Sequence, residues 1–124
     1  MNKLILIIIL ILGIGVNAQG RKEVKEYYED GKVKSLTIYE GEEKKEFKHF
    51  HSNGNLQKTE NYKNGKLHGK KHFYALNGRI IFIKNYKNGN KDGEQKIFHS
   101  IEGEVVSEVE NYIDGKEEGV WKEF

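Results

Sequence analysis

The sequence predicts an all-β protein, an elongated single-sheet antiparallel meander of stacked β-hairpin repeats with about nine strands. Three observations carry this. The phrase Asn61-Tyr62-Lys63-Asn64-Gly65-Lys66-Leu67-His68-Gly69 returns at Asn85 to Gly93 and again at Asn111 to Gly119, spacings of 24 and 26 residues. A second series alternates with it through Asp30-Gly31, Asn53-Gly54, Asn77-Gly78 and Glu102-Gly103, whose glycines step by 23, 24 and 25 residues. Finally, the chain holds 14 glycines and no proline, as hairpins turning on Asn-Gly and Asp-Gly require, because both central residues of a tight hairpin turn need positive φ. A fixed period in this range marks a repeat array whose units bury surface against their neighbours. Function is therefore sought on a surface.

The turn signals bound the strands in order. They are expected over Glu23 to Glu29, Val33 to Tyr39, Glu43 to His51, Leu56 to Tyr62, Lys70 to Ala75, Arg79 to Tyr86, Glu94 to Ser100, Glu104 to Tyr112 and Val120 to Phe124. Consecutive strands joined by such turns pair side by side. Stacking the units aligns Tyr62, Tyr86 and Tyr112 in one aromatic column and Tyr74, Phe98 and Phe124 in another. Adjacent rings of this kind support a sheet by about 0.2 to 1 kcal/mol per cross-strand pair. Alternation is weak, however. Ile80-Ile81-Phe82-Ile83 is continuously apolar and Lys58-Thr59-Glu60 wholly polar, so no uniform one-sided core is expected. The first unit, around Tyr39-Glu40-Gly41-Glu42-Glu43, is one residue short and lacks the second glycine. At the other end Trp121 and Phe124 are expected to cover the last hairpin, or its edge to stay open and pair with a second copy in a homodimer.

Ahead of the repeats, Met1-Asn2-Lys3 is followed by nine Leu or Ile residues from Leu4 to Leu12 and then by Val16-Asn17-Ala18. The run is too short to span a bilayer comfortably, and the basic start and small residues suit an export signal. Residues 1–18 are read as a signal peptide cleaved after Ala18, the alternative being an uncleaved anchor, and residues 19–124 as the repeat domain of a periplasmic or secreted protein. The absence of cysteine excludes disulfides and lipoprotein acylation. Basic and acidic residues number 21 and 19 and interleave, as in Lys44-Lys45-Glu46, a solvated surface and not a phosphate-binding face, so no nucleic-acid partner is expected.

The frame Tyr-x-Asn-Gly-x-x-x-Gly, at Tyr62 to Gly69 and Tyr86 to Gly93 and altered at Tyr112 to Gly119, resembles the MORN repeat, and more closely its bacterial variant with a second Asn-Gly phrase between copies. The resemblance spans about Tyr27 to Phe124. It implies a stack of hairpins in one sheet and roles in protein contact, membrane-associated scaffolding or, for many bacterial members of the variant, as the antitoxin of a toxin-antitoxin pair. The general MORN pattern is richer in glycine and has Trp or Phe after its first Gly, where the turns here carry Lys, Asn, His and Glu. An export signal conflicts with a cytoplasmic antitoxin and fits an envelope immunity protein better.

The residues offer little for catalysis. There is no Gly-x-Ser-x-Gly elbow, no Gly-x-Gly-x-x-Gly and no P-loop, and a one-layer sheet desolvates carboxylates poorly. His49 and His51 could share a strand face, and His68 and His72 are similarly close, but no third ligand recurs at a fixed offset, so neither metal nor cofactor is expected. The expected function is that of an exported, non-enzymatic repeat protein that binds another protein through its sheet face or edge. Tyr62, Tyr86, Tyr112 and Trp121 are the candidate contacts, since Tyr and Trp dominate interface hot spots. The alternatives are an immunity protein facing a toxin and a scaffold whose turn lysines, such as Lys63, Lys66, Lys87 and Lys91, meet anionic headgroups.

Overall fold

A computed structural model describes residues 7–8, 20–99 and 106–121, the side chains of 7, 8, 106, 107, 120 and 121 excepted. These residues form one open antiparallel sheet with no helix. Its strands are β1 (Ile7–Ile8), β2 (Arg21–Tyr27), β3 (Val33–Glu40), β4 (Glu43–Phe50), β5 (Leu56–Lys63), β6 (Lys66–Leu67), β7 (Gly69–Tyr74), β8 (Ile80–Lys87), β9 (Asn90–Lys91), β10 (Gly93–Phe98), β11 (Val106–Ile113) and β12 (Lys116–Trp121). The spatial order follows the chain, with β6 beside β5 and β9 beside β8. All nine expected strands are present within a few residues of their expected bounds. The last begins at Lys116, four residues earlier than the turn signals indicated. Of the expected leader only Ile7–Ile8 is described, paired with Glu26 and Lys25 of β2; the rest, like Phe124, lies outside the described residues.

The three short strands are the addition to the expected set. β6 and β7, and likewise β9 and β10, are single strands broken at His68 and Asp92. At each break an asparagine on the neighbouring strand closes the gap. His68 N–H donates to the Asn61 carbonyl at 2.8 Å, and the Asn61 side chain donates to the Lys70 carbonyl at 2.8 Å. One unit on, Asp92 N–H donates to the Asn85 carbonyl at 2.9 Å and the Asn85 side chain to the Glu94 carbonyl at 2.6 Å. The residue after each break is Gly69 or Gly93, at φ 94° and 91°, left-handed backbone that other residues enter at a cost. The break is thus a bulge device written in sequence as Asn and Gly eight residues apart.

The turns at the two ends of the strands differ. At one end Asn64-Gly65, Asn88-Gly89 and Asp114-Gly115 hold φ of 51° and 75°, 50° and 85°, and 47° and 82°, the type I′ turn whose twist matches that of the flanking strands. At the other end the segments starting at Tyr28, His51 and Ala75 repeat one wider turn. His51 N–H reaches the Asn55 carbonyl at 2.7 Å and Gly54 N–H the His51 carbonyl at 2.9 Å, with equivalents at Tyr28 and Ala75. An Asp or Asn side chain closes each, as in Asn53 Oδ1 accepting from Asn55 N–H at 2.9 Å.

Both ends also bind unit to unit. Tyr28 Oη donates to the Phe50 carbonyl at 2.6 Å, and His51 Nε2–H to the Tyr74 carbonyl at 3.0 Å. At the I′ end, Gly89 N–H reaches the Leu67 carbonyl and Gly115 N–H the Lys91 carbonyl, each at 2.8 Å. Beside these bonds Asn64, Asn88 and Asp114 N–H donate to Glu43 Oε1, His68 Nδ1 and Asp92 Oδ1 at 2.8, 3.4 and 3.2 Å.

A single layer has nothing to pack against, and among the described residues Ile38, 6% exposed, is the one buried hydrophobic. The others that reach that depth are polar: Ser35 at 3%, Glu60 at 7% and Gln95 at 0%. The weak alternation in the sequence therefore has a physical meaning. The sheet is held by its backbone ladder and by polar side chains folded over it, their aliphatic stems lying on the strands.

Candidate binding face

Directly paired residues of antiparallel strands share a face, so the register assigns the faces. One row runs Val24, Thr37, Phe47, Glu60 and, further on, Lys71 opposite Lys84 and Gln95 opposite Glu110. Toward the I′ turns, the next row on the same face holds Lys22 opposite Tyr39, Tyr39 opposite Lys44, then Tyr62, Tyr86 opposite Lys91, and Tyr112. Tyr62, Tyr86 and Tyr112 are thus brought together on one face, on β5, β8 and β11, each half-buried. Trp121 pairs with Val109 through its backbone; its side chain lies outside the described residues.

The tyrosine row is interleaved with lysine. Lys22 Nζ sits 5.4 Å from the Tyr39 ring centre, Lys44 Nζ 4.2 Å from Tyr62 and 4.9 Å from Phe47, and Lys91 Nζ 4.7 Å from Tyr112. A cation over an aromatic face contributes about 0.5 to 1 kcal/mol where partly exposed. These lysines were not legible as partners, because the register that pairs them is set by bulges between Ile38 and Tyr39 and at the broken strands.

Beneath the rings lies a charged row. Glu60 receives Lys58 Nζ at 3.1 Å and Lys71 Nζ at 3.2 Å. Burial alone would raise its carboxyl, but the hydrogen bonds and charges of the two lysines outweigh it and hold the group below the ordinary range. The same carboxylate, after burial, keeps the Tyr62 hydroxyl raised. Tyr112 repeats the motif, donating to Glu110 Oε2 at 3.2 Å, and burial and that acceptor raise it. Lys84 faces Lys71 across the strands and lies 4.6 Å over Phe82. Burial first, then Lys91 and Lys71, hold its ammonium below the ordinary lysine value, with Glu110 opposing. Further from the I′ turns, Phe73 and Phe82 stack at 5.2 Å and 11°.

The opposite face carries Leu36, Lys48, Thr59, His72 and Ile83 in one row. His72 stacks on Tyr74 at 6.1 Å and 7° and shares a hydrogen bond with Thr59 Oγ1 at 3.2 Å. The histidines the sequence grouped do not converge. His51 is committed to the Tyr74 carbonyl, His68 to Asn88, and His49 Nδ1 is buried without a partner beside Phe47. No group of three or more metal-ligating side chains occurs among the described residues, and no helix there is long and apolar enough to cross a membrane.

The hairpins that open the sheet decide what the chain is similar to. Residues 22–40 and 43–64 match the MORN repeat variant. These segments cover β2 to β5, and the hairpin meander continues from there through β12. Repeats of this family are generally associated with protein or membrane binding. No curated protein matches the chain significantly.

Proposed function

We propose that the chain is an exported, non-enzymatic MORN-type repeat protein that binds another protein through the face bearing Tyr62, Tyr86 and Tyr112. The observation that carries this reading is the row in which tyrosine rings recur on β5, β8 and β11 with lysines between them. Rings held by neighbours are ready to bind without further ordering, the condition under which Tyr becomes an interface hot spot, while the lysines favour a partner with acidic side chains. The test is capture of partners by residues 19–124 from the host envelope, beside the variants Tyr86→Ala and, on the opposite face, Lys48→Glu. A near-stoichiometric partner lost with Tyr86→Ala and kept with Lys48→Glu is expected, with unchanged far-UV circular dichroism. Equal capture by all three proteins overturns the assignment of the face. Should that partner be a toxin, co-expression that rescues growth would make the chain its immunity protein.

A second reading rests on the I′ edge, where exposed Lys63, Lys66, Lys87 and Lys116 line up from turn to turn. Each lysine near an anionic membrane contributes about 1 kcal/mol. Glu43, Asp92 and Glu117 share that edge and oppose it. Sedimentation with anionic but not neutral vesicles supports this reading, and equal sedimentation removes it.

A further inference from the structure

Four Asn-Gly pairs lie among the described residues, Asn53-Gly54, Asn64-Gly65, Asn77-Gly78 and Asn88-Gly89, alike in sequence and unlike in bonding. An Asn-Gly pair deamidates in water when the glycine backbone nitrogen, its proton lost to hydroxide, attacks the asparagine Cγ. The new N–C bond closes a succinimide as the Cγ–Nδ2 bond breaks and ammonia leaves. Water then adds across one of the two imide C–N bonds and leaves aspartate or isoaspartate. A glycine N–H already held in a hydrogen bond must first be released, and a side-chain amide held by neighbours must first turn.

Three of the four pairs are held in this way. Gly54 N–H donates to the His51 carbonyl and Gly78 N–H to the Ala75 carbonyl at 2.9 Å, and Gly89 N–H to the Leu67 carbonyl at 2.8 Å. The Asn53 amide both accepts from Asn55 N–H and donates to the Leu76 carbonyl, each at 2.9 Å, and Asn77 Oδ1 accepts from Arg79 N–H at 3.1 Å. At Asn64-Gly65 both residues are exposed, and neither Gly65 N–H nor the Asn64 side chain has a hydrogen-bond partner among the described residues.

The cause is the short first unit. Gly89 and Gly115 find their acceptors in β6 and β9, the two-residue strands that follow an I′ turn and end at a break. The hairpin before Asn64 turns on Gly41-Glu42 and continues unbroken as β4. There the contact between units is made by Asn64 N–H on Glu43 Oε1 alone.

We propose that Asn64-Gly65 is the deamidation site of the folded protein, with water as co-reactant. Isoaspartate at residue 64 adds a methylene to the main chain of the I′ turn and sets a second carboxylate beside Glu43, which loosens the joint between the first two units. The site is independent of the binding reading above. The test is incubation of the protein at pH 8 to 9, folded and in urea, with the mass gain of deamidation followed at each asparagine by peptide mapping. Urea gives each pair its unhindered rate. In the folded protein residue 64 is expected to keep roughly its urea rate, while Asn88, in the same turn type, slows by about tenfold, the rate equivalent of one retained hydrogen bond. Asn53 and Asn77 are expected to slow at least as much. Residue 64 slowing as much as Asn88, or any other pair converting as fast as residue 64, overturns the proposal.

Discussion

Glu60 and Gln95 are the two long polar side chains buried on the tyrosine-bearing face, three strands apart on β5 and β10, and they satisfy themselves differently. Glu60 is a charge balanced by two lysines that remain partly exposed, at 29% and 22% of their side chains. Gln95 is neutral and wholly buried. Its Oε1 accepts from Asn85 N–H at 3.1 Å, and its Nε2 donates to the Asn85 and Gly93 carbonyls at 3.0 and 3.2 Å. The amide therefore replaces the backbone pairing that β8 loses where β9 and β10 part. A sheet without a second layer can close its middle with ions that keep touching water, or with a neutral group that bonds only to the main chain. The second arrangement tolerates full burial because it desolvates no charge.

Substitutions at these positions sharpen the contrast. Gln95→Met keeps the volume but orphans the Asn85 N–H, and is expected to cost about 3 kcal/mol in urea unfolding; a cost near zero would mean that the sheet rearranges around the amide. Glu60→Gln leaves Lys58 and Lys71 without their charge partner and is expected to cost about 2 kcal/mol, less than a fully buried pair because both lysines reach solvent.

The two positions also part on acidification. The Glu60 carboxyl is held below its unfolded value of 4.5, so its stabilisation is present above that pH and is lost as pH falls through the lower folded value. Acid unfolding should be shallower in Glu60→Gln and unaltered in shape in Gln95→Met. Equal acid limbs in wild type and Glu60→Gln would remove the carboxylate from the account.

Lys84 gives the smallest effect and the opposite sign. Its ammonium is disfavoured in the fold by burial and by Lys91 and Lys71, so Lys84→Met, which keeps contact with Phe82 through sulfur, is expected to stabilise by about 0.5 kcal/mol. A loss of stability would show that the cation over Phe82 outweighs its repulsion.

The architecture was legible because turns are local. Asn64-Gly65 and Asn88-Gly89 specify positive φ wherever they stand, and their period specifies a meander. The tyrosine column was legible for the same reason, since Tyr62, Tyr86 and Tyr112 keep a fixed offset from those turns. What was not legible depends on register across bulges. Nothing in Lys58-Thr59-Glu60 announces that Lys71 will arrive beside Glu60, and nothing in Gly93-Glu94-Gln95 that the amide will fold back onto Asn85. The broken strands do leave a trace in sequence, the joint recurrence of Asn61 with Gly69 and Asn85 with Gly93. In those phrases the tyrosine supplies the ring row and the asparagine closes the gap.

The unit-to-unit bonds at the I′ edge have a mechanical consequence. Two hairpins are clasped to the one before them by a pair of main-chain donors, Asn88 and Gly89 onto His68 and Leu67, then Asp114 and Gly115 onto Asp92 and Lys91. The clasp between β4 and β5 closes on Glu43 alone. Pulled apart along the order of its strands, the sheet should peel like a zipper with one weak tooth, parting at residue 64 before it parts anywhere else along that edge.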